Sequence, residues 1–289
     1  MTSMATIIAG GAALLETQKL SKSFGGLAAV QDVDFRVAQG QIVSVIGPNG
    51  AGKSTFFNVV TGLYRPTSGR VFLDGRDITG QRPDAVLKQG IARTFQNIRL
   101  FSNMSVLENV LVGEHARLRS GILGDIIKGP RTRREERAAR ERAYRVMDLF
   151  GPRLTDNSNT LARNLAYADR RYLEIARALA SQPKVLLLDE PTVGMNPSET
   201  EEAMRYIAQL QRSGVTVVLI EHKLNVVMSM SDRIYVLDYG QNIAEGTPAE
   251  VRSDERVIEA YLGRRHTTAM AAGLASSIAE QPAAASSGQ

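Results

Sequence analysis

The sequence of 289 residues contains no cysteine. This excludes disulfide bonds and thiolate metal sites, and we expect the protein to work in a reducing cytoplasm. The chain also lacks an apolar run of about eighteen residues, the length that a membrane-spanning helix needs. A short apolar stretch near the start has no basic segment before it, which argues against a secretory signal. These absences favour a cytoplasmic protein without a membrane span of its own.

The chain carries a modest positive charge of +5, with a pI near 9.5. Such a balance suits an anionic membrane surface or a nucleic acid. The most basic segment, residues 132–150, predicts a helix with one apolar stripe formed by Ala139, Ala143, Val146 and Phe150. No aromatic residues alternate with its arginines, so we interpret the basic face as solvated and expect no nucleic-acid partner.

Residues 47–54 read GPNGAGKS, which matches the phosphate-loop pattern. The apolar run Ile42–Ile46 before it predicts a strand and the run after it predicts a helix, the setting that this motif requires. Glycines let successive backbone N–H groups curl around phosphate oxygens at the positive end of that helix. The alternative is a glycine turn that merely joins strand and helix. The residues predicted to bind a nucleoside triphosphate are Gly47, Pro48, Asn49, Gly50, Ala51, Gly52, Lys53, Ser54 and Thr55.

Within this loop, Lys53 is expected to reach the β- and γ-phosphates, and Ser54 to bind Mg²⁺. Two acidic residues, Asp189 and Glu190, follow the apolar run of residues 185–188, and His222 follows another apolar run. Ligands bind at the carboxyl ends of strands in open α/β sheets. We therefore predict that Asp189 binds Mg²⁺ through water and that Glu190 is the general base. His222 is predicted to contact the γ-phosphate or water; alternatively, the acids merely end a strand and the histidine is structural.

Alternating strand and helix patterns predict an α/β fold with a mostly parallel sheet. Together with the phosphate loop, this pattern resembles a P-loop NTPase (RecA-like) core. The segment Arg70–Ile78, turned at Asp74-Gly75, adds a small antiparallel β portion. Strand signals are missing from about residue 97 to 164, which predicts a helical subdomain inserted in the core. The predicted organisation is a flexible leader (1–13), one domain (14–263) and a disordered tail (264–289). That domain comprises core lobes 14–96 and 165–240, the helical subdomain 97–164 and a C-terminal helical segment 241–263.

Residues 14–263 resemble the ATPase subunit of ATP-binding cassette (ABC) transporters. Phe24 falls where an aromatic ring stacks on adenine in that family. Gln96 matches the glutamine that joins the core to the helical subdomain, binds Mg²⁺ and senses the attacking water. Residues 189–192 match the magnesium and base segment, and His222 matches the switch histidine. The resemblance implies an ATPase that uses ATP and Mg²⁺.

The family's signature segment, usually Leu-Ser-Gly-Gly-Gln, falls on Leu165, Ala166, Tyr167, Ala168 and Asp169. Ala166 lacks the hydroxyl that serine offers to the γ-phosphate, and Ala168 adds a Cβ where glycine lets the backbone approach. Asp169 adds a negative charge near the helix N-terminus. In the family this segment completes the nucleotide site of the opposing subunit, so the departure concerns the partner's site. A second departure places Asn196 where the family usually has aspartate.

Finer resemblance, carried by residues 90–115 and 243–263, is to the LivG-type ATPases of branched-chain amino-acid importers. It implies a second, different ATPase (or a homodimer), two membrane permeases and an extracytoplasmic solute-binding protein. It also implies a peripheral location on the cytoplasmic face of the inner membrane. Relatives that serve urea, amides or other amino acids leave the solute open. The region 97–115 is expected to contact the permeases, unless its apolar residues Ile98, Leu100, Phe101 and Met104 pack internally.

Three other functions are alternatives to transport. A cassette ATPase acting on DNA or ribosomes would fit the pI, but such proteins commonly carry two cassettes, coiled-coil insertions or zinc cysteines. A GTPase-type switch would need a guanine-reading Asn-Lys-x-Asp segment, which is absent. A regulatory, hydrolysis-poor cassette is suggested by Ala166, Ala168 and Asp169.

Overall fold

The computed structural model describes residues 12–114 and 130–262. The predicted disordered tail lies outside the described residues, as do the leader up to residue 11 and residues 115–129 of the predicted helical subdomain. Ala13, which the sequence analysis assigned to the leader, is instead the first residue of a strand.

Strands of the described residues form two sheets. In chain order they are β1 (Ala13–Phe24), β2 (Leu27–Ala38), β3 (Ile42–Ile46), β4 (Ser68–Leu73), β5 (Arg76–Asp77), β6 (Ile91–Arg93), β7 (Val185–Asp189), β8 (Thr216–Ile220), β9 (Arg233–Asp238) and β10 (Gln241–Gly246). The larger sheet has the order β10-β9-β3-β8-β7-β6, and the smaller one the order β2-β1-β4-β5.

The helices of the described residues connect and cover these strands. They are α1 (Lys53–Val60), α2 (Pro83–Gln89), α3 (Val106–Glu114), α4 (Pro130–Asp148), α5 (Pro152–Thr155), α6 (Tyr167–Ala180), α7 (Pro197–Arg212), α8 (Leu224–Met230), α9 (Pro248–Ser253) and α10 (Glu255–Leu262).

The six-stranded sheet is parallel except at one edge. Strands β9, β3, β8, β7 and β6 all pair in parallel, and only β10 pairs antiparallel with β9. Every residue of β3, β7 and β8 is buried, as expected for continuous apolar runs covered on both faces. This confirms the predicted mostly parallel sheet. Because the strands are parallel, the loops after β3, β6, β7 and β8 all leave from the same edge.

The four-stranded sheet supplies the predicted antiparallel portion. Strands β4 and β5 pair as a hairpin around Asp74 and Gly75, whose φ angles are 51° and 71°. Positive φ at both central residues is the geometry of the tight turn that an Asp-Gly pair favours. The predicted hairpin is therefore confirmed.

The described helices of the predicted subdomain 97–164 share a core with the large sheet. Val106 and Val110 of α3 and Met147 of α4 belong to one buried cluster that also contains Leu173 of α6 and Leu186 of β7. Helix α6 follows the predicted boundary at residue 164 but shares this cluster. Of the stripe predicted for α4, Ala139, Ala143 and Phe150 are all buried. Phe150 lies two residues beyond the end of the helix.

The C-terminal segment 241–263 was predicted as helical, and this prediction is wrong for its first six residues. They form β10, the edge strand beside β9, before α9 and α10 begin. The turn between β9 and β10 uses Tyr239 and Gly240, both with positive φ. Only Ala244 and Gly246 of β10 are buried. This edge strand therefore has no apolar run from which it could be predicted.

Helices α3 and α6 approach so closely that one position tolerates no side chain. A Cβ added to Gly113 would lie 2.0 Å from the carbonyl oxygen of Arg177. Gly113→Ala should lower the free energy of unfolding by about 1–3 kcal/mol, although alanine favours helix by about 1 kcal/mol over glycine.

Urea denaturation would measure this change. Glu136→Ala, an exchange on the exposed face of α4, is the control and should shift the free energy by less than about 0.5 kcal/mol. A Gly113→Ala protein as stable as its parent would contradict the close helix contact.

Candidate nucleotide site

The phosphate loop lies between β3 and α1 and is packed tightly against neighbouring backbone. A Cβ on Gly47 would lie 2.0 Å from the Leu237 carbonyl oxygen, and one on Gly52 would lie 2.2 Å from that of Ala29. Both glycines also have positive φ. Helix α1 has no side-chain cap and no acidic residue in its first turn. Its first N–H groups and positive end therefore face the loop without a competing anion from that turn.

Lys53 places its ammonium group inside this loop. The Nζ atom donates hydrogen bonds to the carbonyl oxygens of Gly47, at 2.8 Å, and Pro48, at 2.9 Å. Burial lowers the pKa of Lys53, while the negative charges of Glu190 and Asp189 act in the opposite direction. The ammonium group of Lys53 thus places a positive charge between the glycine loop and the carboxylates of Asp189 and Glu190.

Glu190 is held between the two other residues that were predicted to be catalytic. Gln96 Nε2 donates a hydrogen bond to Glu190 Oε2 at 3.1 Å, and His222 Nε2 lies 2.6 Å from Glu190 Oε1. The backbone of Glu190 has a φ of 50°, a left-handed conformation that is costly for a residue other than glycine. The structure therefore brings Gln96, Glu190 and His222 together, with each carboxylate oxygen facing one neighbour.

Glu221 is a buried carboxylate that was not among the predicted site residues. It accepts hydrogen bonds from the backbone N–H groups of Thr192, at 3.2 Å, of His222, at 2.7 Å, and of Lys223, at 3.2 Å. It also accepts a hydrogen bond from the Thr192 hydroxyl. This carboxylate ties the segment after Glu190 to the one that carries His222. The sequence signal was present, because an acidic residue ends the apolar run directly before the predicted histidine.

Asp189 lies at the end of β7 with one oxygen paired and one free. Arg93 Nη2 donates to Asp189 Oδ2 at 2.7 Å, and Arg93 Nη1 donates to Asn58 Oδ1 at 2.5 Å. Asp189 Oδ1 is buried and has no hydrogen-bond partner among the described residues. A buried carboxylate oxygen without a donor fits a hydrated divalent cation. Arg93 was not predicted as a site residue, because its ion pair joins two different strands.

These segments line a cavity of about 700 Å³. Its lining residues are Ala29, Asn49, Gly50, Ala51, Gly52, Lys53, Ser54, Thr55, Gln96, Glu190 and His222. Gly47, Pro48 and Asp189 are not part of this lining but directly precede lining residues in the chain. Phe24 ends β1 outside the lining; it is 42% exposed, and its ring meets Tyr64 edge-on at 5.2 Å.

The predicted signature residues 165–169 lie outside that cavity's lining, at the start of α6. Leu165 and Ala168 are buried, whereas Tyr167 is 42% exposed. Asp169 accepts a hydrogen bond from Arg153 Nη1 at 3.0 Å, and the same guanidinium binds Glu202 through two nitrogens. The added negative charge of Asp169 is therefore offset within this chain.

Comparison with known proteins places this geometry in a family. A family model described as "ABC transporter" matches residues 30–193, which carry the phosphate loop, Gln96, the signature segment and Glu190. This chain belongs to the ABC transporter family. A second family model, described as "Branched-chain amino acid ATP-binding cassette transporter", matches residues 241–267 of this ABC protein.

Individual relatives extend the likeness over most of the chain. The ABC protein is 45% identical over 251 residues to the high-affinity branched-chain amino acid transport ATP-binding protein LivG of Salmonella typhimurium, covering 86% of this chain and 98% of the relative. It is 46% identical to the corresponding BraF protein of Pseudomonas aeruginosa, with the same coverage.

Solved structures show the same fold. A nucleotide-free ATP-binding cassette from an ABC transporter matches with a TM-score of 0.76 and 34% identity, covering 87% of this chain and 100% of that one. A cassette in its ADP conformation matches with a TM-score of 0.75 and 33% identity, covering 87% and 99%. The chain is thus an ATP-binding, ATP-hydrolysing subunit with the cassette fold.

The contacts of Glu221 predict that this residue sets the geometry of the Glu190–His222 pair. In Glu221→Gln an NH₂ group replaces one of the two acceptor oxygens. That group cannot accept a hydrogen bond, so backbone N–H groups that donate to Glu221 would be left buried and unpaired. A displacement of about 1 Å costs about 100-fold in rate, so we expect ATP hydrolysis to fall about 10- to 100-fold while the Kd for ATP stays unchanged.

Steady-state hydrolysis and equilibrium binding of a fluorescent ATP analogue would measure the two quantities. Glu201→Gln, the same exchange at an exposed position of α7, is the matched control. An unchanged hydrolysis rate in Glu221→Gln would show that this network does not position the pair.

Proposed function

We propose that this chain is the ATP-hydrolysing subunit of an importer for branched-chain or other hydrophobic amino acids. The observation that carries the solute class is the 45% identity to a branched-chain amino acid transport protein over 98% of that protein's length. The family match at residues 241–267 supports the same class, because it covers the C-terminal segment rather than the common nucleotide core.

The described residues fit a bound magnesium ion beside ATP. We propose that Ser54, Gln96 and Asp189 hold it, and the unpaired Oδ1 of Asp189 supports this assignment. When bound, Mg²⁺ supplies positive charge that offsets the charge of the phosphates. Residues 47–55 are proposed to hold the phosphates through backbone N–H groups and the ammonium of Lys53, with Phe24 against the adenine.

In the proposed reaction Glu190 accepts a proton from a water molecule. The water oxygen forms a bond to the γ-phosphorus, and the bond from that phosphorus to the β,γ-bridging oxygen breaks, releasing ADP and phosphate. Gln96 and His222, which contact the two oxygens of Glu190, orient the water and the γ-phosphate. Holding these groups in one geometry removes much of the entropic part of the barrier.

A second ATPase subunit is proposed to complete the nucleotide site. The signature residues 165–169 lie outside this chain's own cavity lining, which supports a head-to-tail pair in which each signature segment faces the other subunit's phosphate loop. The LivG-type resemblance favours a different ATPase as partner over a second copy. Closure of the pair on ATP would move the permeases, and hydrolysis would reset them.

The permeases are proposed to dock on the groove between the sheet core and the helical region. A cavity of about 450 Å³ there is lined by Phe101, Arg177 and Gly113 among others. Phe101 is 47% exposed and Met104 is 38% exposed, whereas Leu100 packs against the core. The predicted contact region thus divides, with Phe101 and Met104 as the surface that a permease would cover.

The proposed location is peripheral, on the cytoplasmic face of the inner membrane. None of the described helices has both the length and the apolar composition that crossing a bilayer requires. The docking proposed above would hold the chain at the membrane, and a solute-binding protein on the other side would deliver the amino acid without touching this chain.

Co-purification tests the whole proposal. Tagged Glu190→Gln protein, which should retain ATP binding and lose turnover, is isolated with ATP from gently solubilised membranes of its own host. Two polytopic permeases and a second, different cassette would support the importer, and the associated solute-binding protein would narrow the solute. Recovery of nucleic acid, ribosomes or soluble proteins alone would reject transport and leave the nucleotide chemistry standing. Turnover retained in Glu190→Gln would instead remove Glu190 as the base.

The docking surface makes a separate prediction. Phe101→Ala combined with Met104→Ala should reduce the recovered permeases at least tenfold. Fully burying such a side chain contributes about 1.5–3 kcal/mol, and somewhat less than half of each side chain remains for a permease to cover. The urea midpoint should stay unchanged, since both side chains are exposed.

Tyr144→Ala on α4, where the ring is 39% exposed, is the control and should recover permeases like the parent. Equal recovery from all three proteins would place the permease contact elsewhere.

A further inference from the structure

Helix α6 carries a fully buried ion pair directly behind the signature segment. Arg171 Nη1 lies 3.1 Å from Glu174 Oε2, and the two side chains are 0% and 1% exposed. Neither residue lines the nucleotide cavity. Burying two charges is costly unless their remaining hydrogen-bonding groups are also satisfied. Arg171 Nε has no partner among the described residues, whereas the other nitrogens and oxygens of the pair are bonded.

The backbone partners of this pair lie on the chain segment that contains Gln96. Arg171 donates from Nη1 to the Phe95 carbonyl oxygen at 2.7 Å and from Nη2 to the Gln96 carbonyl oxygen at 2.9 Å. Glu174 Oε1 accepts from the backbone N–H groups of Phe95, at 3.4 Å, and Arg99, at 3.2 Å. The pair therefore forms hydrogen bonds with the backbone of Phe95, Gln96 and Arg99.

The same guanidinium also reaches the signature segment. Arg171 Nη2 donates to the Tyr167 hydroxyl at 3.3 Å. The Tyr167 ring in turn lies against the loop that follows Glu190, because a Cβ on Gly194 would come within 2.9 Å of Tyr167 Cε1. Gly194 has a φ of 77°, which favours glycine there. Arg171 thus joins the Gln96 segment to the signature segment, and Tyr167 extends the chain of contacts to the loop after Glu190.

We propose that Arg171 and Glu174 are positioning residues that couple the Gln96 segment to the signature segment. Gln96 contacts the general base of this chain's own nucleotide site, whereas residues 165–169 complete the site of a second subunit, so the coupling rests on the proposed pairing of two ATPases. An arginine fork in a dry interior has little freedom, because its planar donors are fixed by two carbonyl oxygens. A displacement of the Gln96 backbone is transmitted to the start of α6. Nucleotide binding at this chain's own site therefore changes how residues 165–169 face the nucleotide site of the second subunit.

A double substitution removes the link without leaving a lone buried charge. Arg171→Met with Glu174→Met keeps the volume and removes both charges, and such replacements are often neutral for stability. Arg142→Met with Glu114→Met is the matched control. Arg142 binds both oxygens of Glu114 between α4 and α3, and the described contacts of that pair do not include the Gln96 segment.

Hydrogen exchange on the isolated full-length chain tests the coupling. The chain is held at a concentration where light scattering shows monomers, with and without a non-hydrolysable ATP analogue and Mg²⁺. In the parent and in the control variant, nucleotide should slow amide exchange in residues 94–99 and also in 165–171, the latter by about fivefold or more. In the Arg171/Glu174 variant the slowing should persist in 94–99 and disappear in 165–171.

Two outcomes would overturn the proposal: slowing that stays in 165–171 in the Arg171/Glu174 variant, or a parent that responds in 94–99 alone. If the double variant does not fold, Tyr167→Phe removes only the phenolic contact and should reduce the slowing in 165–171; an unreduced slowing there would likewise reject the link. Because the isolated chain needs no permease, failure of this test is distinct from failure of the importer proposal.

Discussion

The site depends on the order of three neighbouring strands. β7 lies between β6 and β8 in a parallel register, so the chain leaves all three strands at the same edge of the sheet. Glu190 follows the middle strand, Gln96 follows the strand on one side, and His222 follows the strand on the other. A carboxylate has two oxygens, and each one faces one of these neighbours. A one-residue shift of β7 against its two neighbours would break both contacts together, because it turns the side chains of β7 to the opposite face.

Much of this arrangement was readable in the sequence. The phosphate loop, the apolar strands before Asp189 and His222, and the Asp74-Gly75 turn are local patterns, and each lies where it was predicted. Strand β10 was missed because an exposed edge strand buries too few side chains to produce a pattern. Arg93 was missed for another reason: its partner Asp189 lies 96 residues away in the chain. Such contacts exist only after the sheet has assembled, so no local pattern encodes them.

The altered signature segment is well accommodated by its own fold. Ala168 is buried in the shared cluster, and Arg153 balances Asp169 together with Glu202. Asn196, the other departure, caps α7: its side chain accepts from the Glu199 N–H while Glu199 accepts from the Asn196 N–H. This reciprocal cap is a known way to satisfy the free N–H groups of a helix start. Ala168, Asp169 and Asn196 are therefore accommodated within this chain, and in the proposed pairing the effect of the altered signature falls on the neighbouring subunit.

The close packing of Gly47 against the Leu237 carbonyl oxygen also determines when the site can form during synthesis. The motif is complete once residue 54 has been made, but the loop rests on the backbone of β9. The turn after β9 is bound as well, since the Gly240 N–H donates to the Ala51 carbonyl oxygen at 3.0 Å. A ribosome must therefore release nearly all of the cassette before the phosphate loop has its support. A nascent chain that stops short of β9 carries the nucleotide motif without the nucleotide site.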